Sequence, residues 1–509
     1  MTDPQITPSL ESGSLEDQIA LKKAKVAELR ARGVDPYPAR ATRAQNSAQA
    51  VAAAAGLETG SHGTQALSCA GRLVELRDMG KSIFARLSDQ SGRIQVYFKK
   101  DALPETDFTL VKKDLHVGDF IAVSGVTMKT KTGEPTIAAS SVTMLAKALR
   151  PLPEKWHGLK DVETRYRYRH LDLIANPEVL RAFEKRSKIV STIRRLMDAR
   201  GFVEVETPIL LAQAGGAAAR PFKTHHNALD ADMVLRIATE LYLKRLVIGG
   251  FDKVYEIGRI FRNEGIDTSH NPEFTMMETY QAFADYQDMA ALFEDIVSAC
   301  AQALGIEKID FGGKVVNLKP PFRREFLPEL WKKYCGAPIE DILEGKGFNR
   351  KGLLALAGKV GAPAGDKTPS AKVFERIFDG KILEHLDELT FVFDHPTAIT
   401  PLAKLKEGTG GGLVERFECF AVGQEFSNAY SELNDPEDQR ERLKEQASQR
   451  LAGDQEADVL DEDFVQAMEA GMPPMGGIGI GIDRLVMLLT GQTSIRDVIL
   501  FPTLKPADA

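Results

Sequence analysis

Cysteine is scarce in this chain: Cys69, Cys300, Cys335 and Cys419 are the four in 509 residues. They are scattered, with none of the paired spacing of a zinc site or a disulfide framework. Reduced thiols in a cytoplasmic protein are the expectation. Long apolar runs are missing too; none approaches the roughly 18 residues that a membrane helix needs, so no membrane partner is expected. The opening MTDPQITPSLESGS has neither the basic nor the apolar region of a secretory signal. A general basic excess is also absent, and a net charge of −7 argues against a non-specific nucleic-acid coat.

What is present fits an ordinary soluble globular protein, with 43% hydrophobic and 27% charged residues. The length suits about two to four domains. Charge is uneven: residues 66–150 carry 13 Lys/Arg against 9 Asp/Glu. A locally basic module on an acidic body suits a specific polyanionic partner.

Along the chain, Ser14 and Asp17 form a capping-box pattern, and Leu15, Ile19, Val26 and Leu29 recur at helical spacing up to Gly33. Residues 1–65 therefore read as a helix plus a loose connector. From 66 to 150 the texture changes to short alternating runs such as SIFARLSD and RIQVYF, separated by turn signals. Five strands in about 80 residues predict an all-β barrel, best matched by an OB-fold. Residues 151–170, with two early prolines, read as a linker. From 171 to 509 strands and helices mix without a βαβ rhythm, so the fold class is α+β around an antiparallel sheet. Asn176 and Pro177 open a long helix ended by Gly201, VEVETP reads as a strand into Pro208, and residues 312–390 read as a mostly helical insertion.

Three stretches carry chemistry. In FRNEGIDTSHNPEFTMMETY, Phe274, Met276, Glu278 and Tyr280 share one strand face. Such a face suits a pocket wall, although a half-buried strand whose Glu reaches solvent fits the alternation as well. In GGIGIGIDRLVM, Gly477, Gly479 and Gly481 leave one strand face without side chains, as close approach by a ligand or by another element requires. In RFECFAVGQEFSNAYSELND, Glu418 and Glu425 are seven residues apart, which puts them on opposite faces unless a bulge brings them together. Surface acids on a strand are the plain alternative to a cation site there.

Together these stretches resemble the three signature motifs of class II aminoacyl-tRNA synthetases: Pro208 ends the first, Arg262 lies in the second and Arg484 in the third. RPFKTHHNALD, HNPEFTMMETY, SELNDPEDQ and IRDVILFP resemble the lysyl-tRNA synthetase branch, and the resemblance runs from about residue 67 to 506. It departs at Thr239, where the family usually has proline, at Phe426 and Ser427, and in the GTGGG of residues 408–412. No charged or stacking group is lost in these departures.

The resemblance implies a class II catalytic domain behind an OB-fold barrel, a homodimer built across the first motif, and L-lysine, ATP and tRNA(Lys) as substrates. It assigns the catalytic roles to Arg262 and Arg484. ATP would be held by these two with Glu264, His270, Asn271, Phe274 and Gly481, and Glu418 and Glu425 would be the Mg²⁺ ligands. Lysine would meet Gly216, Glu240 and Arg262 at its α-carbon end. Glu278, Tyr280, Asn428, Tyr430, Glu432 and Gly479 would surround the rest of it. Arg77, Phe84 and Gln95 would read the anticodon. A pocket of carboxylates suits a ligand with two ammonium groups and opposes aspartate or asparagine. Two other readings stay open at this point, a lysine ligase acting on a protein and a non-enzymatic tRNA-binding regulator.

Overall fold

The computed structural model describes residues 14–152, 159–362, 364–365, 367–451 and 459–506. The chain divides into two compact units, meeting at Leu159 and Lys160.

The first unit is built on a closed five-stranded barrel, as its alternating runs predict. Its strands are β1 (His62–Asp78), β2 (Ser82–Asp89), β3 (Gly92–Lys99), β4 (Phe120–Lys129) and β5 (Pro135–Ala146), ordered β1-β2-β3-β5-β4. Only the β3–β5 contact is parallel. Alternate residues Ile83, Ala85, Leu87, Ile94, Val96 and Phe98 point inward and make the core. The preceding helix α1 (Leu15–Ala31) has the expected capping box between Ser14 and Asp17. Its apolar stripe is shorter than expected, because Val26 and Leu29 are buried while Leu15 is 47% exposed. Charge supplements the short stripe: Arg32 and Lys25 reach the enclosed Asp114 at 2.5 and 3.1 Å.

In the second unit, eight strands form one sheet. In chain order they are β6 (Val203–Glu204), β7 (Lys253–Phe261), β8 (Glu273–Ala282), β9 (Arg323–Phe326), β10 (Thr390–Pro396), β11 (Leu413–Ala421), β12 (Gln424–Ser431) and β13 (Met475–Gly481). Across the sheet they run β9-β10-β11-β12-β13-β8-β7-β6, antiparallel except at the two edge contacts. The expected antiparallel α+β sheet is therefore present. Helices α2 (Pro177–Ala199), α3 (Tyr286–Leu304) and α4 (Ile482–Thr490) pack against it, with Ile193, Phe293, Val486, Phe391, Phe393 and Phe417 in the shared core.

Four expectations need correction. VEVETP pairs only at Val203 and Glu204. Beyond them Thr207 donates from its backbone and its hydroxyl to the Glu256 carboxylate, at 3.0 and 2.7 Å, in place of a strand ladder. The linker assigned to 151–170 already contains helical structure at Val162–Arg167, followed by Arg169–Ala175. The reason is an enclosed ion pair, Arg169 to Asp172 at 2.5 Å, whose guanidinium also donates to the Leu500 carbonyl at 2.8 Å. Residues 153–158 of that stretch lie outside the described residues. Finally, residues 312–390 are not a plain helical insertion, because Arg323–Phe326 is an edge strand of the main sheet. Helices Leu327–Cys335, Arg350–Val360 and Ser370–Lys381 follow around Trp331 and Phe374, stacked at 4.9 Å. Asn176 likewise is no side-chain cap; its amide donates to Asp172 at 2.7 Å.

Candidate active site

A cavity of about 780 Å³ opens over the central strands β8, β13, β12 and β11. Glu278 lies opposite Gly479 and Tyr280 opposite Gly477, while Asn428 and Tyr430 flank the same two glycines from β12. The glycine strip thus runs down the middle of the cavity floor, with functional side chains on both sides. Its members differ. A Cβ at Gly477 would collide with Glu432 and Tyr280, so that glycine makes room for neighbouring side chains. At Gly479 the nearest obstacle is the mobile end of Met276, 3.2 Å away, so that glycine opens the floor itself.

At one end stand Glu240, Glu278 and Glu432, all buried. Glu278 accepts from the Thr239 backbone N–H at 3.1 Å and from the Tyr280 hydroxyl at 3.3 Å. Burial, then the nearby Glu240 charge, push its carboxyl up to about 7. Glu432 is also held above the usual carboxylate range by burial, although Lys244 opposes the shift. Its Oε2 lies 2.5 Å from the Lys244 ammonium, while its enclosed Oε1 has no hydrogen-bond partner, which leaves acceptor capacity for a further ammonium group. Gly216, at φ 83°, packs so close to Glu240 that a Cβ would lie 3.2 Å from that side chain's own.

Arg262 follows the end of β7, over the Phe274 ring at 5.2 Å. Its guanidinium makes only long contacts with the Ile237 carbonyl, 3.4 and 3.5 Å, so its donor fork faces the cavity nearly unengaged. Burial lowers its pKa; the carboxylates Glu264, Glu425 and Glu278 oppose that shift. Arg484 projects from the first turn of α4, bonding the Glu425 carbonyl at 2.9 Å and approaching His270 at 3.4 Å. His270 is itself held by Asp267 at 2.9 Å. Asn271 lines the cavity but uses its amide on the backbone, donating to Glu273 at 2.5 Å and accepting from Thr503 at 3.2 Å. Glu264 is exposed on the cavity wall and Gly481 borders Arg484.

The puzzle of Glu418 and Glu425 resolves through register. The β11–β12 pairing shifts between Cys419 and Phe420, and that bulge turns both carboxylates into the cavity. Burial, then repulsion from Glu418, raises the pKa of Glu425. Arg484, Arg416 and Arg262 offset that shift in part. Two neighbouring carboxylates suit a hard dication such as Mg²⁺, which typically takes one or two carboxylates and completes its shell from phosphate and water. No group of three or more metal-capable His, Cys, Asp or Glu occurs among the described residues.

Two buried cations escaped sequence reading. Arg416 pairs with Glu418, donates to Asn428 at 3.0 Å and to Thr400 at 2.7 Å, and Asn428 in turn donates to Tyr430 at 3.0 Å. Lys244 reaches both Glu240 and Glu432 at 2.5 Å. The Glu240–Lys244 spacing on helix Glu240–Ile248 was a readable i,i+4 signal; the Glu432 contact was not.

In the barrel unit, Arg77, Phe84 and Tyr97 lie side by side across β1, β2 and β3. Phe84 and Tyr97 stack at 4.8 Å and are only half-buried, so neither is a core aromatic. Gln95 lies on the same face and donates to Thr136 at 3.0 Å, and Arg77 pairs with Glu75.

Comparison with known proteins agrees with this arrangement. Residues 161–505 match the class II tRNA synthetases (D, K and N), and residues 67–145 match the OB-fold nucleic acid binding domain. A lysine–tRNA ligase of Enterococcus faecalis is 48% identical over 96% of this chain and 98% of its own length. Those of Lactococcus lactis subsp. lactis and Dehalococcoides mccartyi are 48% and 49% identical, covering 97% and 96% of this chain and 100% and 97% of their own lengths. The two alternatives, a protein-modifying lysine ligase and a non-enzymatic regulator, find no support in these matches. With its antiparallel sheet, barrel and acid-lined cavity, the chain belongs to the class II tRNA synthetases, in the lysine–tRNA ligase family.

Proposed function

We propose that this chain activates L-lysine with ATP and transfers the lysyl group to the 3′ end of tRNA(Lys) for translation. The observation that carries this reading is the enclosed set Glu240, Glu278 and Glu432, facing a nearly unengaged Arg262 across one cavity. A ligand with two ammonium groups satisfies those acids, and its carboxylate is met by the guanidinium.

In the first step a lysine carboxylate oxygen attacks the α-phosphorus of ATP. The new C–O–P linkage is lysyl-adenylate, and pyrophosphate leaves with the electron pair of the broken P–O bond. Such a displacement depends on alignment and charge neutralisation rather than on a protein nucleophile. Arg262 holds the reacting carboxylate beside the α-phosphate, and Phe274 offers its ring to the adenine. Arg484 neutralises the distal phosphates, with Glu264, His270 and Asn271 fixing the nucleotide. Glu418 and Glu425 would hold Mg²⁺, which supplies charge neutralisation to the leaving pyrophosphate. In the second step a ribose hydroxyl of the tRNA attacks the lysyl carbonyl, and AMP leaves.

The barrel reads the anticodon, with Phe84 stacking on a base, Gln95 bonding its edge and Arg77 meeting phosphate. The protein works as a homodimer in the cytoplasm; Val203, Ile209 and Leu210, exposed at 45%, 43% and 45% along the first motif, support an apolar interface there. No helix among the described residues is long and apolar enough to cross a membrane.

The test is ATP–pyrophosphate exchange with Mg²⁺, run with lysine, aspartate, asparagine and ornithine. Exchange with lysine alone is expected. Exchange with aspartate, or the absence of exchange with all four amino acids in folded protein, overturns the reading.

A further inference from the structure

Behind the acid end of the cavity lies a strong charge for which the proposed reaction has no use. Lys244 is fully enclosed, and its ammonium lies 2.5 Å from Glu240 and 2.5 Å from Glu432. The rings of Tyr280 and Phe464 close over it at 5.9 Å each. Glu278 and Tyr430 complete the titratable groups around this pair of acids. A lone ammonium so deeply enclosed would shed its proton, yet these two carboxylates keep it charged.

The consequence is a charge balance. With all three acids ionised, as a bound ammonium favours, Glu240, Glu278 and Glu432 set against Lys244 and Arg262 leave this end of the cavity with one surplus negative charge. Lysine, with two ammonium groups and one carboxylate, carries one positive charge. Without Lys244 the surplus would double, and enclosed carboxylates in that position relieve repulsion by taking up a proton.

We propose that Lys244 is a specificity-determining residue, a resident ammonium that joins Glu240 to Glu432 and sets the charge of the acid end to match one lysine. This rests on the reading that lysine occupies the acid end. Lys244 acts through the two carboxylates and need not touch the reacting atoms, so it is a positioning residue.

The test compares wild type with K244M and K244R by exchange kinetics and by calorimetry of lysine binding in buffers of different ionisation enthalpy. In K244M lysine must displace an extra proton, so release rises by about one proton per lysine bound. Its lysine KM at neutral pH rises roughly tenfold, and the deficit narrows as pH rises. K244R, which keeps the charge, releases protons as wild type does. A structural role alone would lower the melting temperature of K244M and leave its proton count unchanged, which overturns the proposal.

Should K244M fail to fold, the double variant K244M/E432Q removes both partners of the pair and is expected to recover a folded circular-dichroism spectrum. Failure of the double variant to fold better than K244M overturns the proposal as well. If wild type itself shows no lysine-dependent exchange, the fault lies with the lysine reading and not with Lys244.

Discussion

Asp483 binds the backbone N–H of Thr275 at 2.6 Å, and its other oxygen takes Arg186 at 2.5 Å. One enclosed carboxylate thereby joins the strand that carries Phe274 to the helix turn that carries Arg484, and both to α2. The spacing between the two groups assigned to the nucleotide is set by a residue that need not touch it.

Removing that carboxylate leaves Arg186 without its main partner in a largely enclosed place. D483A is expected to lose about 3 kcal/mol of stability, as broken buried pairs do, measured by urea unfolding. Among molecules still folded, the KM for ATP rises more than that for lysine. Equal effects on both would show that Asp483 does not set the nucleotide site.

The acid end makes stability and binding depend on pH in opposite senses. Glu278 holds its proton up to about 7, against an ordinary value of 4.5, and Glu432 is raised too. A raised carboxylate contributes stability that is complete below the ordinary value and lost as pH climbs through the folded one. The free protein should therefore lose stability between about pH 4.5 and 8, through Glu278 to about 7 and Glu432 to about 8. Lysine's ammonium favours the ionised acids, so the rise in melting temperature that lysine produces should be larger at high pH. Thermal unfolding with and without lysine at pH 6 and 8 checks both signs. In E278Q the pH dependence of the lysine effect shrinks.

The two central glycines predict different failures. G477A drives a methyl group into Glu432 and Tyr280 and should cost about 1–3 kcal/mol by overpacking, with lysine KM rising alongside. G479A meets only the end of Met276, so it should fold near wild-type stability while crowding the cavity and raising substrate KM values. Denaturant midpoints and exchange kinetics separate the two.

The stacked pair on the barrel should matter for tRNA alone. F84A removes one aromatic platform, worth about 1–3 kcal/mol per stacked base, so tRNA(Lys) affinity should fall roughly tenfold or more. Lysine-dependent pyrophosphate exchange, which needs no tRNA, should stay unchanged. A filter-binding titration beside the exchange assay decides it, and a loss of exchange would argue against an anticodon role for this face.

Much of this molecule could be read without coordinates. Alternation placed Phe274, Met276, Glu278 and Tyr280 on one strand face, and all four line the cavity. Five short alternating runs announced the barrel, and the motif residues Arg262 and Arg484 announced the family. These features are local: side-chain direction along a strand follows from a two-residue period, and a turn follows from its own glycine or proline.

Tertiary structure alone decided the rest, because it depends on which segments become neighbours. The seven-residue gap between Glu418 and Glu425 has the wrong parity for one face, and only the bulge after Cys419 corrects it. Lys244 reads as one more helix lysine until folding brings Glu432 to it from nearly two hundred residues away. Gly477 and Gly479 are alike in sequence, yet packing gives the first two side chains to clear and the second an open floor. The sequence by itself determined the residue types and the face each one takes along its own element. Only the tertiary structure decided which charges share an enclosed space, and in such a space the strength of a charge is set by its neighbours.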